Sequence, residues 1–201
     1  FRMENIKAYK EKIKILKDCG IECFRVGHVL KKSCEPRKLL SYVQKIASET
    51  AELSAEIGIK AIIQIHGFCY PHNATAAYET VKKLDSDYIG IKLELGNNLQ
   101  QEGFETIDYQ VNLLKEFIGA VSVKSAGIYK KSGADCWERR FVPAYDGAAD
   151  YKALFIELKN INYNGFAVLM PFYFENDYNL HLITATKEFV YLKQLSEQAG
   201  L

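Results

Sequence analysis

The chain has 201 residues, of which 48% are hydrophobic and 25% charged, a balance typical of a globular protein with a sizeable core. Its 26 basic and 25 acidic side chains leave a formal charge of +1, so net charge gives no case for nucleic acid or an anionic membrane surface as a partner. No apolar stretch approaches the roughly 20 residues that a membrane-spanning helix needs.

Helical and strand-like patterns alternate along the first half of the chain. A helix with one apolar face opens the sequence, and a strand is predicted to follow at 22–27. A second amphipathic helix stops at Gly58, and the apolar run 61–66 predicts the next strand. Asn73 is a good N-cap for a shorter helix, which leads to a predicted strand over 88–95.

The second half continues the same alternation. Another amphipathic helix precedes a strand predicted at 120–124, whereas residues 125–149 are expected to be irregular, with one short strand at 141–143. Asp150 is expected to cap a helix, and a strand over 165–172 and a closing helix follow. Repeated strand–helix units imply a parallel sheet with right-handed crossovers, in either an open sheet or a (β/α) barrel.

Polar side chains share one face of four predicted strands, opposite an apolar face that would pack against helices. These side chains are Arg25, Gln64, His66, Lys92, Glu94, Ser122 and Lys124. Ligands of α/β folds bind at the carboxyl ends of the strands, and so many desolvated polar groups would be costly without a ligand or partners. A structural alternative is that Lys92 and Glu94 form an ion pair and that Arg25 ties its strand to a loop.

The order of these strand endings resembles that of the xylose isomerase-like TIM barrels, the sugar phosphate isomerase/epimerase superfamily. The similarity runs from about Glu4 to Leu195, and its markers are Arg25-Val-Gly27, Gln64-Ile-His66-Gly67, Glu94-Leu-Gly-Asn97, Ser122-Val-Lys-Ser125, Phe141-Val-Pro-Ala-Tyr-Asp-Gly147, Asp150-Tyr151 and Tyr163-Asn-Gly165 leading to Met170-Pro-Phe172. The resemblance implies an α/β fold of (β/α)8 TIM-barrel type, of which this chain covers roughly strands 3 to 8. We therefore expect a single, partial barrel domain over residues 1–201 that is a fragment of a longer product.

Members of that family hold a divalent metal with Glu, Asp, His and Glu ligands, and the two Glu residues move a proton on carbon. Carried over onto this sequence, the four ligand positions are Gln64, Glu94, Ser122 and Met170. One carboxylate with an amide, a hydroxyl and a thioether is a poor donor set for Mg²⁺ or Mn²⁺, so no cofactor is expected. If the family site survives in altered form, it would bind Mn²⁺ or Mg²⁺, with Glu175 or His72 as substitute ligands.

The residues and the resemblance together predict a protein similar to sugar isomerases and epimerases. Its ligand or substrate is expected to be a small sugar, a class that here includes phosphorylated and acidic sugars. Glu94, His66 and Lys124 are the expected catalytic residues. The expected substrate contacts are Arg25, Gln64, Lys92, Asn97, Ser122 and Trp137. Two alternatives stay open, a non-catalytic carbohydrate-binding descendant and a lyase that forms a Schiff base through Lys124.

Three further expectations concern partners and compartment. The protein is expected to bind a small sugar or sugar phosphate and to bind neither nucleic acid nor a membrane. Formation of a homo-oligomer is left open. Five cysteines without a CxxC pair predict neither a disulfide framework nor a zinc cluster and favour the cytoplasm. His28 and His72 follow strands and are further candidates for the same binding mouth.

Overall fold

The computed structural model describes residues 1–27, 29–30, 35–100, 105–171, 173 and 177–201. Four residues named in the predictions, His28, Phe172, Glu175 and one of the five cysteines, Cys34, lie outside the described residues. The chain divides into two compact units, Phe1–Leu93 with Leu113–Ala120 and Glu94–Asn112 with Val121–Leu201. Within the described ranges, no helix combines the length and the apolar character needed to cross a bilayer.

The first half of the chain forms short strands alternating with helices. In order they are a 3₁₀ helix (Met3–Tyr9), α1 (Lys10–Asp18), β1 (Cys23–Val26), β2 (Val29–Leu30), α2 (Pro36–Ile57), β3 (Lys60–Gln64), β4 (Cys69–Tyr70), α3 (Ala74–Val81) and β5 (Ile89–Glu94). In the first unit β1, β3 and β5 lie side by side in parallel, and the start of β6 (Ile118–Val123) is the next neighbour of β5. The two-residue strands β2 and β4 form a separate antiparallel pair that the sequence analysis missed.

Two predicted helix boundaries of the first unit are confirmed. Gly58 ends α2 in the left-handed conformation, with φ of 76°, which a glycine adopts without steric cost. The Asn73 side chain accepts a hydrogen bond of 2.9 Å from the Ala76 N–H and so caps α3. These caps hold helices against a sheet in which β5 is buried along its whole length.

Over its described residues, the second half of the chain continues with further helices and strands besides β6. They are α4 (Leu95–Gln100), α5 (Ile107–Leu114), a 3₁₀ turn (Lys115–Phe117), β7 (Ser125–Lys130), β8 (Trp137–Val142), α6 (Tyr151–Asn160), β9 (Phe166–Leu169) and α7 (Tyr178–Ala199). In the second unit β9 lies beside β6, and α6 packs against α7. Asp150 caps α6 as predicted, its side chain accepting a hydrogen bond of 2.9 Å from the Ala153 N–H.

The prediction of an irregular segment over 125–149 is wrong, because β7 and β8 form an antiparallel hairpin there. Lys130 pairs with Trp137, and Gly133 turns the chain between them with φ of 72°. The predicted strand at 141–143 is only the end of β8. The buried positions of β7 are the small residues Ser125 and Ala126, so the apolar alternation that marks a strand is missing from its sequence.

The strand predicted over 88–95 is shorter than expected. It ends at Glu94, and α4 begins at Leu95, so Asn97 lies on a helix and not at a strand end. Likewise the strand predicted over 165–172 is the four-residue β9, whose residues are exposed or half-buried.

Candidate functional site

Lys124 and Glu94 form a buried ion pair in the second unit. Glu94 is the last residue of β5 and Lys124 follows β6, so both lie at carboxyl ends of strands. The Lys124 Nζ atom is 3.9 Å from Glu94 Oε1, and the side chains are 7% and 0% exposed. Burial lowers the pKa of Lys124, and the Glu94 carboxylate opposes that shift. An amine and a carboxylate held together out of water can bind hydroxyl groups or exchange a proton with a ligand.

The backbone of Lys124 is held by the buried hydroxyl of Tyr151, the first residue of α6. The Tyr151 Oη atom accepts a hydrogen bond of 2.9 Å from the Lys124 N–H and donates one of 2.6 Å to the Lys124 carbonyl. Burial raises the pKa of Tyr151 far above its usual value, which keeps the hydroxyl protonated and able to donate. The position of Lys124 is therefore fixed by hydrogen bonds that do not involve its amine.

Two further neighbours define the surroundings of the Lys124 side chain. Its Nζ lies 4.1 Å from the centre of the Phe141 ring, a cation–π contact at the end of β8. On α4, a Cβ atom at Gly96 would lie 2.6 Å from both Lys124 Cγ and the Lys124 carbonyl oxygen. Position 96 therefore has room only for glycine, because the backbone of Lys124 could not move away.

The other predicted residues of the second unit differ in burial and in contacts. Ser122 donates a hydrogen bond to the Met170 sulfur, and Asn97 is 1% exposed on α4. Trp137 begins β8 and is 70% exposed. Since side chains alternate along a strand, Trp137 lies on the opposite face of the hairpin from Arg140.

The chemistry of the predicted metal positions does not fit a tightly bound Mg²⁺ or Mn²⁺. Among Gln64, Glu94, Ser122 and Met170 only one carries a charge, and Ser122 is directed at the thioether sulfur of Met170. Within the described ranges, no three His, Cys, Asp or Glu side chains are grouped so that they could hold a metal ion.

The predicted residues of the first unit form their own arrangement. Arg25 donates a hydrogen bond of 2.8 Å from Nη1 to Gln64 Oε1 on the neighbouring strand, and Lys92 is 7% exposed on β5. His66 follows β3, is half-buried, and lies with its ring centre 6.1 Å from that of Phe68. His72 lies further on, its ring 5.7 Å from that of Tyr70. The alternative that Arg25 ties its strand to a loop is wrong for this bond, because its partner is a strand residue.

Two buried groups of the second unit were missed by the sequence analysis. Tyr151 shares the spacing of Leu154, Phe155 and Leu158, a signal of burial that would also have required a partner for its hydroxyl. Glu188 is 0% exposed on α7, where its Oε1 accepts hydrogen bonds from the Ala144 N–H (2.7 Å) and the Tyr173 hydroxyl (2.8 Å). Its position between the buried Thr184 and Leu192 was the available signal.

Comparison with known proteins gives matches to one family and its fold. A family model described as xylose isomerase-like TIM barrel matches residues 1–189. A solved xylose isomerase-like TIM barrel protein from Mycobacterium smegmatis, in complex with magnesium, is 14% identical, with a TM-score of 0.71 over 96% of this chain and 67% of that chain. The IOLI protein with a bound zinc atom is 17% identical, with a TM-score of 0.73 over 96% of this chain and 69% of that one.

A third solved structure is that of an L-ribulose 3-epimerase, 16% identical, with a TM-score of 0.69 over 96% of this chain and 67% of that chain. No curated protein sequence matches this chain. At such low identity the structural matches show the fold alone. They confirm the predicted fold class, an α/β fold of partial (β/α)8-barrel type.

Proposed function

Because this chain belongs to the xylose isomerase-like TIM barrel family, we propose that it acts as a sugar isomerase or epimerase, with Glu94 and Lys124 as its proton-transfer pair. The observation that carries this proposal is the buried contact of 3.9 Å between Lys124 Nζ and Glu94 Oε1 at two strand ends. The L-ribulose 3-epimerase among the structural matches supports a sugar as the substrate class.

The proposed chemistry is proton transfer at a carbon next to a carbonyl group. The Glu94 carboxylate removes the proton from that carbon, and the electrons move onto the carbonyl oxygen to give an enediolate. Lys124, as an ammonium group, stabilises the new negative charge, and Phe141 excludes water beside it. Return of the proton to the former carbonyl carbon, while the hydroxyl proton of the first carbon passes to the former carbonyl oxygen, isomerises the sugar. Protonation of the first carbon from its opposite face by a second acid epimerises the sugar.

The remaining predicted roles stay part of this proposal. The catalytic role of His66 and the substrate contacts of Arg25, Gln64, Lys92, Asn97, Ser122 and Trp137 stay predictions. The free state of the four described cysteines, Cys19, Cys23, Cys69 and Cys136, supports a reducing compartment such as the cytoplasm. A homo-oligomer stays a prediction.

The test is uptake of solvent deuterium into a sugar. The chain is incubated in D₂O with D-xylose, D-fructose, L-ribulose and their phosphates, and proton NMR follows the carbon next to the carbonyl. We expect exchange with at least one sugar, and a loss of about 10²–10⁴-fold in the Glu94→Gln variant, because an amide cannot act as the base. Lys124→Met should also slow exchange, since the oxyanion loses its cation.

Glu157→Gln is the matched control, because this carboxylate lies on α6, where it accepts a hydrogen bond of 3.3 Å from the exposed Asn112 side chain. Its exchange rate should equal that of the wild-type chain. Thermal unfolding with each sugar separates the alternatives. Stabilisation by a sugar without any exchange would identify a non-catalytic binding protein instead of an enzyme. If no sugar causes either stabilisation or exchange, the proposal is contradicted.

A further inference from the structure

A groove of about 740 Å³ lies in the second unit, outside the Glu94–Lys124 pair. It is lined by residues of the β7–β8 hairpin, of the segment that follows β8, and of the first half of α7. Its volume falls in the range of about 300–1,000 Å³ that holds drug-sized ligands. Phe141 lines this groove, and its ring also contacts Lys124 Nζ, so one side chain borders both the groove and the proposed reaction site.

The hairpin wall of the groove is pre-organised. The Arg140 guanidinium lies 4.0 Å from the centre of the Tyr129 ring, and the Tyr129 hydroxyl donates a hydrogen bond of 3.4 Å to the Asp146 carbonyl. The Tyr129 ring lies across Gly127, where a Cβ atom would come within 2.7 Å of the ring. A glycine at position 127 therefore makes the room in which this aromatic side chain lies.

The rest of the groove lining is also aromatic and aliphatic. Tyr145 meets Tyr191 of α7 edge to face, with ring centres 6.2 Å apart, and this contact holds the Tyr145 ring. Ile183 and Lys187 of α7 complete this side of the groove. The groove therefore presents two restrained tyrosines to a ligand.

The lining chemistry suits a neutral polyhydroxylated ring. Tyrosine and aliphatic side chains pack against the C–H faces of a pyranose, and Arg140, Lys187 and Asp146 can donate to or accept from its hydroxyl groups. The Asp146 carboxylate offsets part of the positive charge of Arg140 and Lys187, and the Arg140 guanidinium is already stacked on Tyr129, so the tyrosine rings are the feature of the lining that favours a sugar ring.

We propose that this groove binds a second glycosyl ring, so that the substrate is a disaccharide or a larger glycoside whose reacting ring lies at Glu94 and Lys124. This inference rests on the function proposed above and narrows its substrate class. The groove then determines specificity, since it contacts the ring that does not react.

Calorimetric titration of the intact chain with D-glucose, cellobiose, maltose and lactose tests the proposal. At least one disaccharide should bind ten-fold or more tightly than D-glucose. Tyr129→Ala and Arg140→Ala should reduce its affinity to that of D-glucose and leave D-glucose binding unchanged. Gly127→Ala should have the same effect through displacement of the Tyr129 ring, although it removes no groove side chain.

Ile128→Ala is the matched control, because Ile128 lies on the hairpin face opposite to Tyr129 and Arg140 and is 59% exposed. Its disaccharide affinity should equal that of the wild type. D-Glucose binding with no gain for any disaccharide, or binding of none of these four sugars, would overturn the groove proposal, whereas the proposed function is decided separately by the deuterium exchange test. If phenyl β-D-glucoside binds as tightly as a disaccharide and its affinity is unchanged in Arg140→Ala, the groove binds an apolar aglycone. That result would overturn the proposal of a second glycosyl ring.

Discussion

At Lys124, one buried hydroxyl satisfies both backbone polar groups of a single residue. Tyr151 replaces the partners that a regular strand would offer after the end of β6, and its bonds of 2.9 Å and 2.6 Å leave the Lys124 amine to face Glu94 and Phe141. A buried N–H or carbonyl without a partner costs free energy of folding. The Tyr151 hydroxyl therefore both stabilises the fold and positions the Lys124 amine.

Removal of the Tyr151 hydroxyl is expected to destabilise the fold. Tyr151→Phe leaves the Lys124 N–H and carbonyl buried without their partner, so we expect the free energy of unfolding to fall by about 1–3 kcal/mol. Urea unfolding measures the loss. Tyr163→Phe is the control, since its hydroxyl bonds the Phe166 carbonyl at an exposed site and should change stability by less than about 0.5 kcal/mol. Equal losses in the two variants would contradict this account.

Among the elements, α7 holds two loops through one carboxyl group. Glu188 accepts from Ala144, which lies between β8 and α6, and from Tyr173, which lies between β9 and α7. Burial is the largest influence on Glu188 and raises its pKa, although the two hydrogen bonds act in the opposite direction. The folded chain therefore binds this proton more tightly than the unfolded chain does.

The sign of the resulting pH dependence follows from linkage. Above the unfolded pKa, about 4.3, the unfolded chain loses the Glu188 proton first, so the stability due to this group is full below that pH and falls as pH rises through the higher folded pKa. Glu188→Gln cannot titrate. We expect the wild-type free energy of unfolding, minus that of Glu188→Gln, to decrease as pH rises above about 4.3.

Urea unfolding at several pH values gives this difference. Glu197→Gln, at an exposed position of the same helix, is the control, and its difference from the wild type should stay nearly constant because that carboxylate remains in water. A difference for Glu188→Gln that does not change with pH would contradict the predicted pKa shift.

For the molecule as a whole, the second unit leaves large apolar side chains in water. Phe166 and Val168 on β9 are 53% and 41% exposed, and Ile183 and Phe189 on α7 are 53% and 61% exposed. An exposed strand of this kind is a template for pairing with another chain, and exposed apolar patches favour association. If the chain forms a homo-oligomer, we therefore expect β9 and α7 to form the contact between its copies.

Self-association is therefore expected to rise with concentration and to depend on these side chains. Phe189→Lys removes apolar surface and adds a charge, so sedimentation velocity should show less association than for the wild type. Gln194→Lys adds the same charge at an exposed position of α7 without removing apolar surface, and is the control. The same sedimentation behaviour for Phe189→Lys and Gln194→Lys would refute a role of this surface.

The order of elements was predictable from the sequence because it depends on local signals. The caps at Gly58, Asn73 and Asp150 and the apolar period of the helices act over a few residues, and the structure confirms them. The family resemblance added the fold class, which the comparisons confirm. The β7–β8 hairpin escaped prediction because the buried residues Ser125 and Ala126 carry no apolar signal.

By itself the sequence determined which residues alternate along each strand, and so which polar groups point away from the helices. Only the tertiary structure decided that Lys124 contacts Glu94 and Phe141, that Tyr151 holds its backbone, and that Glu188 is buried. These contacts join residues 17 to 44 positions apart, and no local period encodes such a distance. Local propensity determines the elements, whereas packing determines which side chains leave water together.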